Sequence, residues 1–192
     1  TDIGSFSDIQ NVTGGTGDDT FNIASGGSLS GAVDGGTGTD SLNQADGTNT
    51  WNITGADSGN VTDIGSFASI ENLTGGTGDD TFNIASLAGL TGAIAGGTGS
   101  DTINQADGTN TWDITGADSG DVTDIGSFSS IENLEGGTGD DTYNIASGAT
   151  LTGNIDGGTG TNSLNQADGT NTWDISGTDA GDVTDIGSFS DI

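Results

Sequence analysis

The chain contains no lysine, no arginine and no histidine among its 192 residues, yet it carries 29 aspartates and glutamates, for a formal net charge of -29. Lacking every cationic side chain, it offers nothing to the phosphate backbone of a nucleic acid or to an anionic membrane surface, because both attract proteins mainly through Lys and Arg. The absence of His, Cys and Lys also removes the usual nucleophile and base pairs and the Schiff-base amine. Zinc and iron–sulfur centres lose their ligands for the same reason. Zero cysteines mean that no disulfide stabilises the chain, and zero prolines mean that no stiffened linker interrupts it. No stretch of about 18 apolar residues is available to span a bilayer. The sequence therefore points away from an enzyme.

Large apolar residues are also scarce. Leu, Ile, Val and Phe make up 36 of 192 residues, which together with the charge lies in the compositional range of disordered chains. If the chain folds, something must offset that charge.

What the sequence has in abundance is repetition. Trp51, Trp112 and Trp173 lie 61 residues apart, as do Phe21, Phe82 and Tyr143, and also Phe6, Phe67, Phe128 and Phe189. The chain divides into units 1–61, 62–122 and 123–183, and residues 184–192 restate residues 1–9 letter for letter. We expect one continuous domain that either continues covalently or docks head to tail, with self as its partner and lateral bundling of rods as an option. Within a unit, related words recur after 21, 18 and 22 residues, each segment long enough for two short strands and two turns. Phe21 with Ile23, and Trp51 with Ile53, have the period of two that strands require, and Gly, Asp, Asn and Ser clusters bound them. No stretch has a helical apolar period, and the 38 glycines disfavour helix throughout. The expected fold is all-β, a parallel β-solenoid (β-roll) with about three coils per 61-residue repeat. Roughly nine coils at about 4.8 Å spacing give a rod of roughly 45 Å.

One word carries the chemistry. GGTGDDTFN at 14–22 recurs at 75–83 and, with Tyr143, at 136–144. GGTGTDSLN at 35, GGTGSDTIN at 96 and GGTGTNSLN at 157 follow the same pattern, the last with Asn162 in place of the aspartate. These words match the nonapeptide G-G-x-G-x-D-x-U-x. The chain thus resembles the repeats-in-toxin (RTX) calcium β-rolls, and more closely the long repetitive regions of bacterial surface adhesins, in which such words alternate with phrases like SIENLTGG, present here at 69–76. The resemblance implies bound Ca²⁺ and an extracellular, structural role.

The physics of the spacing agrees with that implication. Glycines permit a tight loop that exposes carbonyl oxygens, and the aspartate adds a carboxylate at its exit, all hard ligands suited to Ca²⁺. The candidate metal ligands are Gly14, Gly15, Gly17 and Asp19; Gly35, Gly36, Gly38 and Asp40; Gly75, Gly76, Gly78 and Asp80; Gly96, Gly97, Gly99 and Asp101; Gly136, Gly137, Gly139 and Asp141; and Gly157, Gly158, Gly160 and Asn162. In a stack the loop at 14–19 lies beside that at 35–40, so that one ion clamps two coils. The third segment departs from the pattern. It offers Asp57, Asp118 and Asp179 at one edge, and Asp46, Asp107 and Asp168 beside Asn49, Asn110 and Asn171 at the other, so the expectation is a partial ladder on one edge.

Other readings stand beside this one. A GGTG word followed by Asp is also a turn signal without any ion. Recurrent Asn22, Asn43 and Asn72 suit hydrogen-bonded ladders, and the tryptophans suit core packing. The leading function is an extracellular calcium-stabilised spacer or fibre segment of a bacterial adhesin or secreted filament, with no nucleic-acid or anionic-membrane partner and an unidentified external target. The alternative is a calcium-dependent ice-binding or surface-binding β-roll, based on outward Thr16 and Thr37.

Overall fold

Short apolar alternations bounded by Gly and Asp pairs produce strands of three to nine residues, and no helix occurs among the described residues. The structure, a computed structural model, describes residues 6–167 and 169–192; Asp168 lies outside them.

The first unit forms β1 (Val12–Thr16), β2 (Thr20–Ile23), β3 (Leu29–Thr37), β4 (Ser41–Gln44), β5 (Thr50–Gly55), β6 (Ser58–Val61) and β7 (Ile64–Ala68). The second repeats this with β8 (Asn72–Thr77), β9 (Thr81–Ile84), β10 (Leu90–Thr98), β11 (Thr102–Gln105), β12 (Thr111–Gly116), β13 (Ser119–Val122) and β14 (Ile125–Ser129). The third comprises β15 (Asn133–Glu135), β16 (Thr142–Ile145), β17 (Leu151–Asp156), β18 (Ser163–Gln166), β19 (Trp173–Gly177), β20 (Ala180–Val183) and β21 (Ile186–Ser190).

These strands form two long sheets, one of twelve strands and one of nine, and the chain alternates between them. Val12 pairs in parallel with Val33 and Phe21 with Leu42, so the 21-residue spacing of the words is the register of the stack. This is the architecture of a β-solenoid or roll, as expected.

The third segment is different. β5, β6 and β7 all lie in one sheet as an antiparallel meander, with Trp51 opposite Val61 and Val61 opposite Ile64. The expectation of three parallel coils per unit is corrected here, and the cause is local. Only Ala56 and Asp57 separate β5 from β6, and only Thr62 and Asp63 separate β6 from β7. Two residues suffice for a hairpin but not for a parallel crossover. Asp57 and Asp63 take the left-handed conformation, φ 47° and 65°, which aspartate tolerates.

The meander changes the symmetry of the rod. A unit now makes five passes rather than an even number, so the next unit begins in the opposite sheet. β1 belongs to the twelve-stranded sheet, its equivalent β8 to the nine-stranded one, and β15 returns to the first. Twelve strands at about 4.8 Å spacing span roughly 53 Å, slightly longer than the sequence suggested.

The core is a narrow file between the sheets. Trp51 is wholly buried, stacked on Phe82 at 5.6 Å between ring centroids and edge-on to Phe67 at 6.3 Å. Trp112 repeats the arrangement with Tyr143 and Phe128 at 5.7 and 6.4 Å. Such pairs add about 0.5–1.5 kcal/mol beyond the area they bury. Outside the file, side-chain amides link rungs as anticipated: Asn104 donates to Asn83, Asn83 to Asn52 and Asn52 to Asn60, at 2.9–3.0 Å.

Candidate functional site

Each GGTG word ends a strand and turns the chain into the opposite sheet, which brings its aspartate to the inner side of the bend. Parallel stacking then fixes what that carboxylate meets. Asp40 Oδ1 accepts the backbone N–H of Asp19 on the preceding rung at 2.7 Å, and Asp40's own N–H donates to Glu71 Oε2 at 2.6 Å. In the next unit Asn49 N–H donates to Asp80 Oδ1, Asp80 N–H to Asp101 Oδ1 and Asp101 N–H to Glu132 Oε2, at 2.7–2.8 Å. In the third, Asn110 N–H donates to Asp141 Oδ1 and Asp141 N–H to Asn162 Oδ1. The unit's ladder thus has the order Asn, Asp, Asp, Glu, with Asn162 replacing the second aspartate in the third unit.

The second carboxylate oxygen is left over. Asp40, Asp80, Asp101 and Asp141 are at most 1 % exposed, and the Oδ2 atoms of these four and of Asp19 are buried without a hydrogen-bond partner. A β-carbon on Gly14, Gly35, Gly75, Gly96 or Gly136 would collide with the Oδ2 of the aspartate in its own word. A neighbouring backbone carbonyl crowds the same point: Gly35 O at Gly14, Gly96 O at Gly75 and Gly157 O at Gly136. The first glycine of each word therefore makes room for an oxygen-lined spot. The second and third (Gly15 and Gly17, Gly76 and Gly78, and their equivalents) supply positive φ. At 157–162 Gly158 and Gly160 keep that geometry, while Gly157 stands against the Asn162 amide, which donates to Asp191 O at 2.9 Å.

The expected partial ladder on a single edge is corrected by the half-turn between units. Asp19, Asp40 and Glu71 occupy the edge where the chain leaves the twelve-stranded sheet, whereas Asn49, Asp80, Asp101 and Glu132 occupy the opposite edge. Asn110, Asp141 and Asn162 return to the first. Each edge carries short separate ladders, and the meanders lie between them.

The residues of the third segment serve the backbone. Asp57 caps the start of β10 by accepting the Thr91 N–H at 2.7 Å and its hydroxyl at 3.1 Å, and Asp118 does the same for Thr152. Asp179 holds the last hairpin at φ 51°. Asp46 and Asp107 accept threonine hydroxyls from Thr77 and Thr138. Asn49 occupies the aspartate's place in its word, where its amide donates to the carbonyls of Gly47 and Gly75 at 3.0 and 3.2 Å. Asn110 donates likewise to Gly108, and Asn171 to Ala167. Where the ladder holds an amide, a partial positive charge thus meets the loop carbonyls. Thr16 and Thr37 pair across rungs, as do Thr77 and Thr98 on the other edge.

Sequence reasoning missed Glu71 and Glu132, although both sit in the SIEN phrase 31 residues after Asp40 and Asp101, the offset at which Leu42 pairs with Leu73. Only knowledge of the meander turns that offset into adjacency.

The electrostatics are unfavourable as the residues stand. Acidic side chains on adjacent rungs, about 4.8 Å apart, repel by about 3 kcal/mol at an effective dielectric near 20. Burial pushes the carboxyls of Asp80, Asp101 and Asp141 above their ordinary value, and Glu132 likewise. Among the described residues no three acidic side chains converge on one point, so a cation here would draw its remaining ligands from backbone carbonyls. The residues present fit that kind of site: buried hard oxygens, a carboxylate oxygen without a donor, and no competing Lys or Arg. No family model, no curated protein and no solved structure matches this chain.

Proposed function

We propose that this chain is a calcium-stabilised structural segment, a rigid spacer of an extracellular adhesin or secreted filament of bacterial type. The observation that carries the reading is the set of five buried aspartate oxygens without a partner in a chain that has no cation. Removing one negative charge from water without compensation costs several kcal/mol. The ladder buries several, so a cation supplied by the medium is the simplest source of compensation.

Ca²⁺ would supply divalent charge and accept many oxygens at flexible geometry, whereas Mg²⁺ demands an octahedron and gives up water reluctantly. Asp19 with Asp40, Asp80 with Asp101, and Asp141, each with the glycine carbonyls of its loop, would hold it. Asn49, Asn110 and Asn162 close the ladders with an amide in place of a carboxylate. Millimolar extracellular calcium suits the affinity of such modules, about 10⁻⁴ to 10⁻³ M. A repeating rod whose acidic residues recur in every unit supports a mechanical role more readily than a single reactive centre.

The test is calorimetric titration of the full chain with calcium and, separately, magnesium. Calcium binding that weakens in Asp40→Asn and Asp101→Asn is the expected result; no calcium heat from a folded sample would remove the proposal.

A further inference from the structure

We infer that the two ends of the rod are complementary and that a second copy of this chain docks on the first head to tail, in one defined register. The inference rests on the two-sheet stack and not on calcium.

At one end β19 closes the twelve-stranded sheet and β18 closes the nine-stranded sheet. Trp173 and Ile175 on β19 are 40 % and 66 % exposed, while their equivalents Trp51, Ile53, Trp112 and Ile114 are wholly buried. The reason is a missing neighbour. Trp51 stacks on Phe82 and Trp112 on Tyr143, each 31 residues further on, whereas Trp173 retains only its edge contact with Phe189 at 6.0 Å.

At the other end β1 and β2 are the outermost strands, and the core opens into a cavity of about 430 Å³ lined by Phe6, Val12, Phe21, Ile23, Leu29 and Val33. β2 is the equivalent of β9 and β16, the strands that receive β5 and β12 inside the rod. Transferring that internal pairing gives the joint: β19 runs parallel to β2 of the second copy, with Trp173 on Phe21 and Ile175 beside Ile23. In the other sheet β18 pairs with β1, placing Leu164 beside Val12 as Leu42 lies beside Leu73. The Asn171 N–H then faces Asp19 Oδ1, as Asn49 faces Asp80 and Asn110 faces Asp141. Because each unit begins in the sheet opposite to its predecessor, and three units precede the joint, the second copy sits half a turn about the rod axis from the first.

The opening residues of the second copy do not obstruct this. Ile186–Ser190 of the first copy already fills the slot as β21, and residues 184–192 have the same letters as residues 1–9. Phe6 and Ile9 of the single copy are 70 % and 48 % exposed and lie outside any strand, so they can leave the mouth of the cavity. Both copies are acidic, so association strengthens with salt as repulsion is screened.

Sedimentation velocity and tryptophan emission of the full chain, at rising concentration and salt, in calcium and in chelator, test the joint. Oligomers should grow with concentration while emission shifts to shorter wavelength, a shift owed to Trp173 because Trp51 and Trp112 are buried already. Trp173→Asp and Phe21→Asp each block one end, so each alone should remain monomeric, and an equimolar mixture should stop at dimers. A folded parent chain that stays monomeric with constant emission overturns the inference, as does a mixture of the two variants that grows beyond dimers or forms none.

Discussion

Asp101 accepts the backbone N–H of Asp80 through Oδ1 at 2.8 Å, while its Oδ2, in the same wholly buried side chain, has no partner. One oxygen holds two rungs together and the other leaves a negative charge to be compensated. The two halves of this carboxylate are separable by substitution.

Asp101→Asn retains the acceptor and supplies an amide N–H₂ that glycine carbonyls can bind, as at Asn49 and Asn162. In chelator it should unfold at higher temperature than the parent; in calcium it should lose part of the ion-dependent gain. Asp101→Ala leaves the Asp80 N–H unsatisfied and should be destabilised by about 1–3 kcal/mol in either medium. Paired thermal melts of the two variants make the comparison.

Acidity should act in opposite directions with and without the ion. Burial raises the carboxyls of Asp80, Asp101 and Asp141 above their ordinary 3.8, so the folded state binds protons more tightly than the unfolded chain. Their contribution to stability is fully present below about 3.8 and is lost as pH rises through the folded values. In chelator, acidification from neutrality towards pH 4 should raise the melting temperature. In calcium, protons compete with the ion, and the same acidification should lower it. Melts by circular dichroism across pH in both media check the sign.

Two glycine substitutions separate steric from conformational demand. Gly75→Ala places a methyl against Asp80 Oδ2 and Gly96 O, at a position whose φ is not positive. Gly47→Ala meets nothing within 4 Å but requires φ of 96°. Strain of the second kind costs about 1–3 kcal/mol. The first should cost more, and Gly75→Ala combined with Asp80→Ala should recover part of the loss; chemical denaturation of the three variants reads this out.

In the core, Trp112→Ala removes a ring stacked on Tyr143 and edge-on to Phe128. A loss of about 3–5 kcal/mol is expected. Asp57→Ala deletes the cap on Thr91 and puts alanine at φ 47°, for a smaller loss of about 1–2 kcal/mol. Equilibrium unfolding ranks the two.

Much of this architecture was legible in the letters. The 21-residue offset between GGTG words is the rung register, and Trp51 and Ile53 face inward as their alternation requires. The meander was not legible, because TGADSG and VTDIG look like any Gly- and Asp-rich bend. Only the count of two residues between Gly55 and Ser58, and between Val61 and Ile64, forces a hairpin. From that one feature follow the half-turn between units, the alternation of ladders between edges, and the adjacency of Asp40 to Glu71. Carbonyl positions, and hence the oxygen-lined spot at Gly14, depend on backbone geometry that no residue pattern encodes.

The central claim is that a cation from the medium compensates the buried carboxylates. Its most direct test is the melting temperature of the full chain in millimolar calcium, in millimolar magnesium and in excess chelator. Ligand binding to the folded state alone stabilises by about 2.7 kcal/mol at a hundredfold excess over the dissociation constant. The account predicts a large rise with calcium, little with magnesium, and a loss of β signal in chelator on modest warming. Identical melting in all three media would contradict it.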